Sequence, residues 1–262
     1  MLMSKGSPQA FEESRVITRK KLSFRNPVMV VGLPGIGLVS KLAADNIART
    51  AGAEHYAVLY SKHFPNQVLA LSSGKLRLFG IHFYKAKVGK IDVVVVKGDL
   101  QPLTVEGQYE VAGRILDHLK QIGGSTVISM AGYAINRIAE KPRVFAASTS
   151  KGLFKKLSTA GVAAPAGVVP IVGMAGVMPG LARIYGLKGA CLLVETPGPI
   201  VDGKGATALS DVLSKFLGGK INTTKLGRRA SKAARLIQKF EQQANIELPQ
   251  ASAKPPEISY IR

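Results

Sequence analysis

Tryptophan is absent and aromatic residues make up only 6% of the chain. That scarcity argues against a surface that stacks nucleobases, because such platforms interleave aromatics with cations. Cysteine is nearly missing as well. Cys191 stands alone, so no disulfide can form within the chain, and its place in the apolar run 190–194 reads as a buried, inert thiol. Long hydrophobic runs are lacking. Gly, Pro or Lys breaks each one well short of the roughly 20 residues a membrane helix needs. Residues 1–21 are polar and mixed in charge, unlike a signal peptide. These absences give the expectation of a soluble, cytoplasmic protein with no membrane partner. Acidic residues are the last shortage: 16 Asp and Glu stand against 36 Lys and Arg, a net charge of +20. Such an excess favours solubility and attraction to polyanions or acidic protein surfaces, and is silent about fold.

What is present is a core. Hydrophobic residues are 46% of 262, enough for one large α/β domain or two small ones. The chain is organised around residues 28–50. Four apolar residues, 28–31, read as a buried strand, a turn with Gly32, Gly35 and Gly37 follows, and 38–50 reads as a helix. The glycines can take positive φ and let a neighbour approach the backbone, while Pro34 stiffens the turn. Two readings stay open. Free N–H groups at a helix start attract phosphate, and Gly35-Ile-Gly37-Leu-Val-Ser40 nearly matches the dinucleotide fingerprint. Alternatively, the glycines only allow a helix to pack tightly on a strand. The P-loop pattern is missing.

Elsewhere strands and helices alternate. Residues 15–24 suggest an edge strand blunted by Lys20 and Lys21, and 1–14 read as an unpatterned arm. Strand-like runs fall at 55–60, 76–84 and 91–96, the last two joined as a hairpin through 85–90. Thr104 is a good N-cap for a helix whose apolar stripe is Val105, Tyr109, Ala112, Leu116 and Leu119. A strand at 126–130 is expected to end in a loop at 131–134. Strand 144–147, a helix capped by Ser150, an irregular strand in 161–170, a helix opening at 173–180, strand 190–194 and helix 206–217 complete the domain. Asn222 is the expected cap of a last helix with Leu226, Ala230, Ala233, Ile237, Phe240 and Ala244 on one face. Its cations fall mostly off that stripe. Phosphate binding, an anionic membrane surface or plain packing of the stripe would each suit it, and packing is the ordinary use of such spacing. Residues 248–262, with Pro249, Pro255 and Pro256, read as a flexible tail. The divisions are therefore 1–25, an arm and edge strand; 26–218, the α/β domain; 219–247, the basic helix; and 248–262, the tail.

Catalytic groups are sparse. His55, His63, His82 and His118 show no metal-ligand spacing, and neither metal nor cofactor is expected. Asp99, Glu106, Glu195 and Asp202 lie at or near strand ends, where open α/β sheets place their sites. Gly32, Gly35, Gly37, Asp99, Glu195 and Asp202 are thus the residues that would line a ligand crevice if the chain were a nucleotide- or phosphate-binding enzyme. Helix-dipole stabilisation explains such acids without a ligand.

Five stretches together resemble one family. The run from Gly32 to Asp45, GLPGIGLVSKLAAD, looks like the opening motif of the proteasome assembly chaperone 2 family. Gly98-Asp-Leu-Gln-Pro102 with Glu106-Gly-Gln-Tyr109, then Ala131-Gly-Tyr-Ala134, residues 173–180, and Leu192-Leu-Val-Glu-Thr-Pro-Gly198 with Asp202 are similar to its later motifs, in order, over about 27–217. The resemblance implies a three-layer, nucleoside-phosphorylase-like α/β sandwich with a mixed sheet, here with a C-terminal helical extension. It also implies a homo-oligomer without catalytic activity that aids proteasome assembly or binds proteasome α-subunits, alone or beside a paralogous chaperone. Members that dock on the α-ring carry a terminal hydrophobic–Tyr–any tripeptide. Here Tyr260 fills the hydrophobic place and Ile261 stands where Tyr would be. Ile258, Tyr260, Ile261 and Arg262 are the expected partner-binding residues.

Overall fold

The computed structural model describes residues 13–247. Its frame is a mixed eight-stranded sheet in the order β1 (Arg15–Thr18), β3 (Glu54–Tyr60), β6 (Ile81–Val88), β7 (Ile91–Gly98), β2 (Val28–Gly32), β8 (Thr126–Ala134), β10 (Lys188–Thr196) and β9 (Val144–Ser148). The central strands β7, β2, β8 and β10 run parallel, and the wings pair antiparallel. Central parallel strands are covered on both faces, which is why 28–31 and 93–96 are apolar without alternation.

Helices fill two outer layers. On one face, α1 (Val39–Thr50), α3 (Lys151–Thr159), α5 (Gly203–Leu217) and the start of α6 (Leu226–Glu247) pack over Val30, Val95 and Ile128. On the other, α2 (Val105–Gln121) and α4 (Met174–Ala182) pack over Met29, Val31 and Val127. Successive residues of one strand therefore feed opposite cores. The result is the expected three-layer α/β architecture. β4 (Val68–Ala70) and β5 (Leu76–Leu78) form a separate small hairpin.

Caps explain several helix starts. Thr104 accepts a hydrogen bond from the Gly107 N–H at 3.0 Å, and Ser150 caps α3 through the Leu153 N–H. Asp202 caps α5 by accepting from the Gly205 N–H at 2.9 Å. Asn222 does not cap α6. The helix begins at Leu226, and the Asn222 carboxamide oxygen instead closes the preceding turn onto the Thr224 N–H. Leu226 and Ala230 are buried against the domain, which fits the packing reading of that stripe; the side chains of Ile237, Phe240 and Ala244 lie outside those described. Asn46, buried on α1, donates to the Asn222 carbonyl and accepts from Arg229, tying α6 to the domain.

Other expectations change. The 131–134 segment is strand, not loop, because β8 stays paired with β10 through Ala134. Residues 161–170 form no strand, only one bridge from Ala163 to Phe145. The run 76–84 splits at Phe79–Gly80 into β5 and β6. Val105 and Tyr109 are exposed, and the buried face of α2 opens at Gly107, where a Cβ would sit 2.5 Å from His63. The end of the arm is docked: the Ser14 N–H donates to Glu110 at 2.7 Å, and its hydroxyl donates to Ser61.

Candidate functional site

The turn after β2 lies at the sheet's strand-end rim, and its three glycines serve different ends. A Cβ on Gly32 would fall 2.2 Å from the Ser40 carbonyl oxygen. This glycine seats α1 against the strand, as the packing reading expects. Gly37 has φ +65°, and a Cβ there would meet the Thr196 hydroxyl at 2.6 Å. Gly35 has extended backbone and open space around it. Among the three glycines only Gly37 needs positive φ; Leu38 beside it is also left-handed, at φ +50°. The Ser40 hydroxyl donates to the Leu33 carbonyl and the Leu38 N–H to the Gly35 carbonyl, closing the turn on itself.

Gln101 holds the turn in place. Its amide N–H donates to the Pro34 carbonyl at 2.6 Å, and its carbonyl oxygen accepts from the Met174 N–H at the start of α4 at 3.1 Å. Sequence reasoning passed over this residue, although it lies inside the second motif. Around it opens a crater of about 650 Å³, walled by Gly35 and Ile36, by Leu103 and Gln108, by 129–134 of β8 and by 169–175. None of its lining residues is charged.

The expected ligand residues do not meet there. Gly35 alone lines the crater. Asp99 faces a separate cavity of about 260 Å³ with Lys41, Asp45, His82 and Lys97, and is held by the Arg77 guanidinium at 2.6 and 3.2 Å. Burial pushes its carboxyl up, but Arg77 and His82 outweigh that and leave it below the ordinary value. Glu195 and Asp202 border a third cavity, about 740 Å³, between residues 138–142, α5 and α6. Glu195 is buried and accepts from both the backbone and the guanidinium of Arg143, whose hydrogen bonds depress its pKa. Glu106 lies in the first turn of α2, where an acid stabilises the helix dipole. The carboxylates are therefore dispersed and structurally engaged, and do not form an acid–base pair.

Cys191 is buried, and desolvation pushes its thiol up to about 11, as expected for an inert cysteine. His82 Nδ1 and His55 Nε2 lie 3.2 Å apart across β3 and β6, a juxtaposition the sequence spacing hid. Burial lowers both, His82 to about 4. Among the described residues no group of three His, Cys, Asp or Glu could hold a metal ion, and no helix is long and apolar enough to cross a membrane. Ile258, Tyr260, Ile261 and Arg262 lie outside the described residues.

The described residues thus form an α/β/α sandwich with an uncharged strand-end crater and with its acids dispersed into ion pairs and caps. Comparison with known proteins gives the lineage: the chain belongs to the PAC2 family, whose sequence profile matches residues 29–241. It is 33% identical over 251 residues to the uncharacterized protein MJ1210 of Methanocaldococcus jannaschii, covering 95% of this chain and 97% of that one. Its fold is similar to that of Pyrococcus furiosus PbaB, an archaeal proteasome activator, with TM-score 0.78 and 34% identity over 87% of this chain and 99% of that one. It is also similar to P. furiosus PbaA, an archaeal homolog of proteasome-assembly chaperone, with TM-score 0.74 and 26% identity over 88% of this chain and 98% of that one.

Proposed function

We propose that this protein is a non-enzymatic, oligomeric chaperone of the cytoplasm that assists proteasome assembly or binds proteasome α-subunits. The similarity to PbaB carries the reading, since it spans nearly all of that chain at 34% identity. The uncharged crater and the dispersed carboxylates support contact with protein more than with a phosphate. The same two features weigh against the alternative of a nucleotide-binding enzyme.

Residues 258–262 supply the apolar side chains Ile258, Tyr260 and Ile261 beside Arg262, a segment suited to capture in a groove between partner subunits. Surface-plasmon titration against assembled α-rings tests this. Deletion of 258–262 and Tyr260→Ala are each expected to weaken binding by roughly tenfold or more, the effect of losing an aromatic anchor. Ile261→Tyr, which restores the tripeptide pattern, is expected to strengthen it. Equal affinity in all variants would move the contact to the folded body. Absence of binding by any of them, in rings and in extract, would overturn the reading.

A further inference from the structure

The outer face of α6 carries a charge that the folded domain leaves unanswered. Leu226, Ala230 and Ala233 turn one side of the helix to the domain. On the opposite side Lys225, Arg228, Lys232 and Arg235 recur at steps of three, four and three residues, and all four are exposed. At about 1.5 Å per residue this stripe runs roughly 15 Å. Just before the helix two glycine turns press together: a Cβ on Gly89 would fall 2.4 Å from the Gly218 carbonyl oxygen. Exposed Lys87, Lys90 and Lys220 flank that contact and extend the charge onto the β6–β7 turn. None of these seven cations has a carboxylate partner among the described residues, whereas Lys20, Arg77, Lys97, Arg114 and Arg143 each have one. Like charges three and four residues apart weaken a helix, and an idle solvated face ordinarily alternates its signs. The stripe thus costs α6 stability that a polyanionic partner would offset.

Chemistry selects among polyanions, which the net charge of +20 attracts from a distance. A membrane-surface helix inserts an apolar face. The apolar side of α6 is already packed on the domain, and Leu236 is the one large apolar side chain exposed on the helix among the described residues. An acidic protein would need an apolar or aromatic core inside the patch, and the seven cations enclose none. Single strands are held by bases stacked on aromatics. Among the described residues the exposed aromatics are Tyr109 on α2 and Tyr133 on β8, and neither belongs to α6 or the β6–β7 turn. A duplex backbone is held by Lys and Arg without any of these. A helix about 10–12 Å across fits the B-form major groove, about 12 Å wide, and not the deep, narrow one of duplex RNA. We propose that the outer face of α6, with the lysines of the adjoining turns, binds double-stranded DNA through its phosphates and without regard to sequence. This activity goes beyond the chaperone reading and stands without it.

Fluorescence anisotropy tests it, with a labelled mixed-sequence DNA duplex of about 24 base pairs titrated by the full chain between about 50 and 300 mM salt. The slope of log affinity against log salt should be about −4.5 to −6, as for roughly five to seven neutralised phosphates. The triple variant Arg228→Gln, Lys232→Gln, Arg235→Gln should bind at least about a hundredfold more weakly near 100 mM salt and flatten the slope by about 3. A control triple, Lys120→Gln, Arg183→Gln, Lys188→Gln, removes the same charge from exposed positions on α2, at the end of α4 and at the start of β10, and should bind like wild type. Arg228→Lys with Arg235→Lys keeps the charges and should keep the affinity. All these side chains are exposed, so thermal melts should match wild type. No binding at the lowest salt, or an equal loss in the control triple, overturns the proposal. Single-stranded DNA or duplex RNA bound as tightly as duplex DNA overturns it too. Uptake on phosphatidylserine vesicles without binding to the duplex would give the face to a membrane and also overturns it.

Discussion

Taking the protein from pH 7 to pH 4 is expected to remove about 3 kcal/mol of folding stability through His118 alone. His118 is 6% exposed on the inner face of α2. Its Nε2 lies 3.0 Å from the Tyr56 hydroxyl, and its ring stacks on Tyr56 and meets Phe83 edge-on. Burial among these rings pushes its pKa down to about 4. The unfolded chain takes up the proton near 6.5, whereas the folded chain holds the ring neutral until about 4. The contribution is therefore complete above pH 6.5 and is lost as pH falls through that window. His82 adds to the loss in the same direction. His118→Gln, which keeps a partner for Tyr56, isolates the effect, because His82 and the carboxylates are common to both proteins. Urea unfolding at pH 7 and pH 4 should show the gap between wild type and His118→Gln closing by about 3 kcal/mol in favour of the variant. A gap that does not change with pH would mean that burial does not keep this ring neutral.

His118 also marks where the sequence stops being legible. Its place on an amphipathic helix was readable, but its partners lie on β3 and β6, across the sheet, and no local pattern ties 118 to 56 or 83. Local signals read well: the run 28–31, the caps Thr104 and Ser150, and the helix at 206–217 each follow from a few neighbouring residues. Long-range pairing did not. Ala131-Gly-Tyr-Ala134 reads as the loop after strand 126–130, yet its pairing with β10 keeps it strand. Glu195 looks like a free strand-end acid until Arg143, 52 residues away, closes on it. For the site, the glycine turn is legible in the sequence, but the bridging role of Gln101 is not, and the separation of Asp99 from Glu195 into different cavities is a property of strand order. β7, which leads into Asp99, and β10, which carries Glu195, are kept apart by β2 and β8.

Gly32→Val is expected to cost at least about 3 kcal/mol, lowering the melting temperature by roughly 6–10 °C, while Gly35→Val leaves it near wild type. The two glycines are three residues apart in one turn, and their surroundings are opposite. At Gly32 the new Cβ would lie 2.2 Å from the Ser40 carbonyl oxygen and 2.5 Å from the Ala44 Cβ, both on α1. That helix cannot retreat without uncovering Val39, Ala43 and Ile47, all buried, and without breaking the Ser40–Leu33 hydrogen bond. At Gly35 the nearest atom to a new Cβ is the Gln101 amide nitrogen at 3.9 Å, and the backbone is extended, so a branched side chain fits. Calorimetric melts of both variants, repeated with a panel of nucleotides and phosphosugars, read the packing role and the ligand role separately. A Gly32→Val protein that melts with wild type would show that α1 is not seated by this contact. A nucleotide that stabilises wild type but not Gly35→Val would show a ligand pressed against the turn, because Gly35 alone of the three glycines lines the crater. That result would replace the apolar reading of the crater with a phosphate-binding one, since backbone N–H groups at the turn can hold an anion although no lining residue is charged.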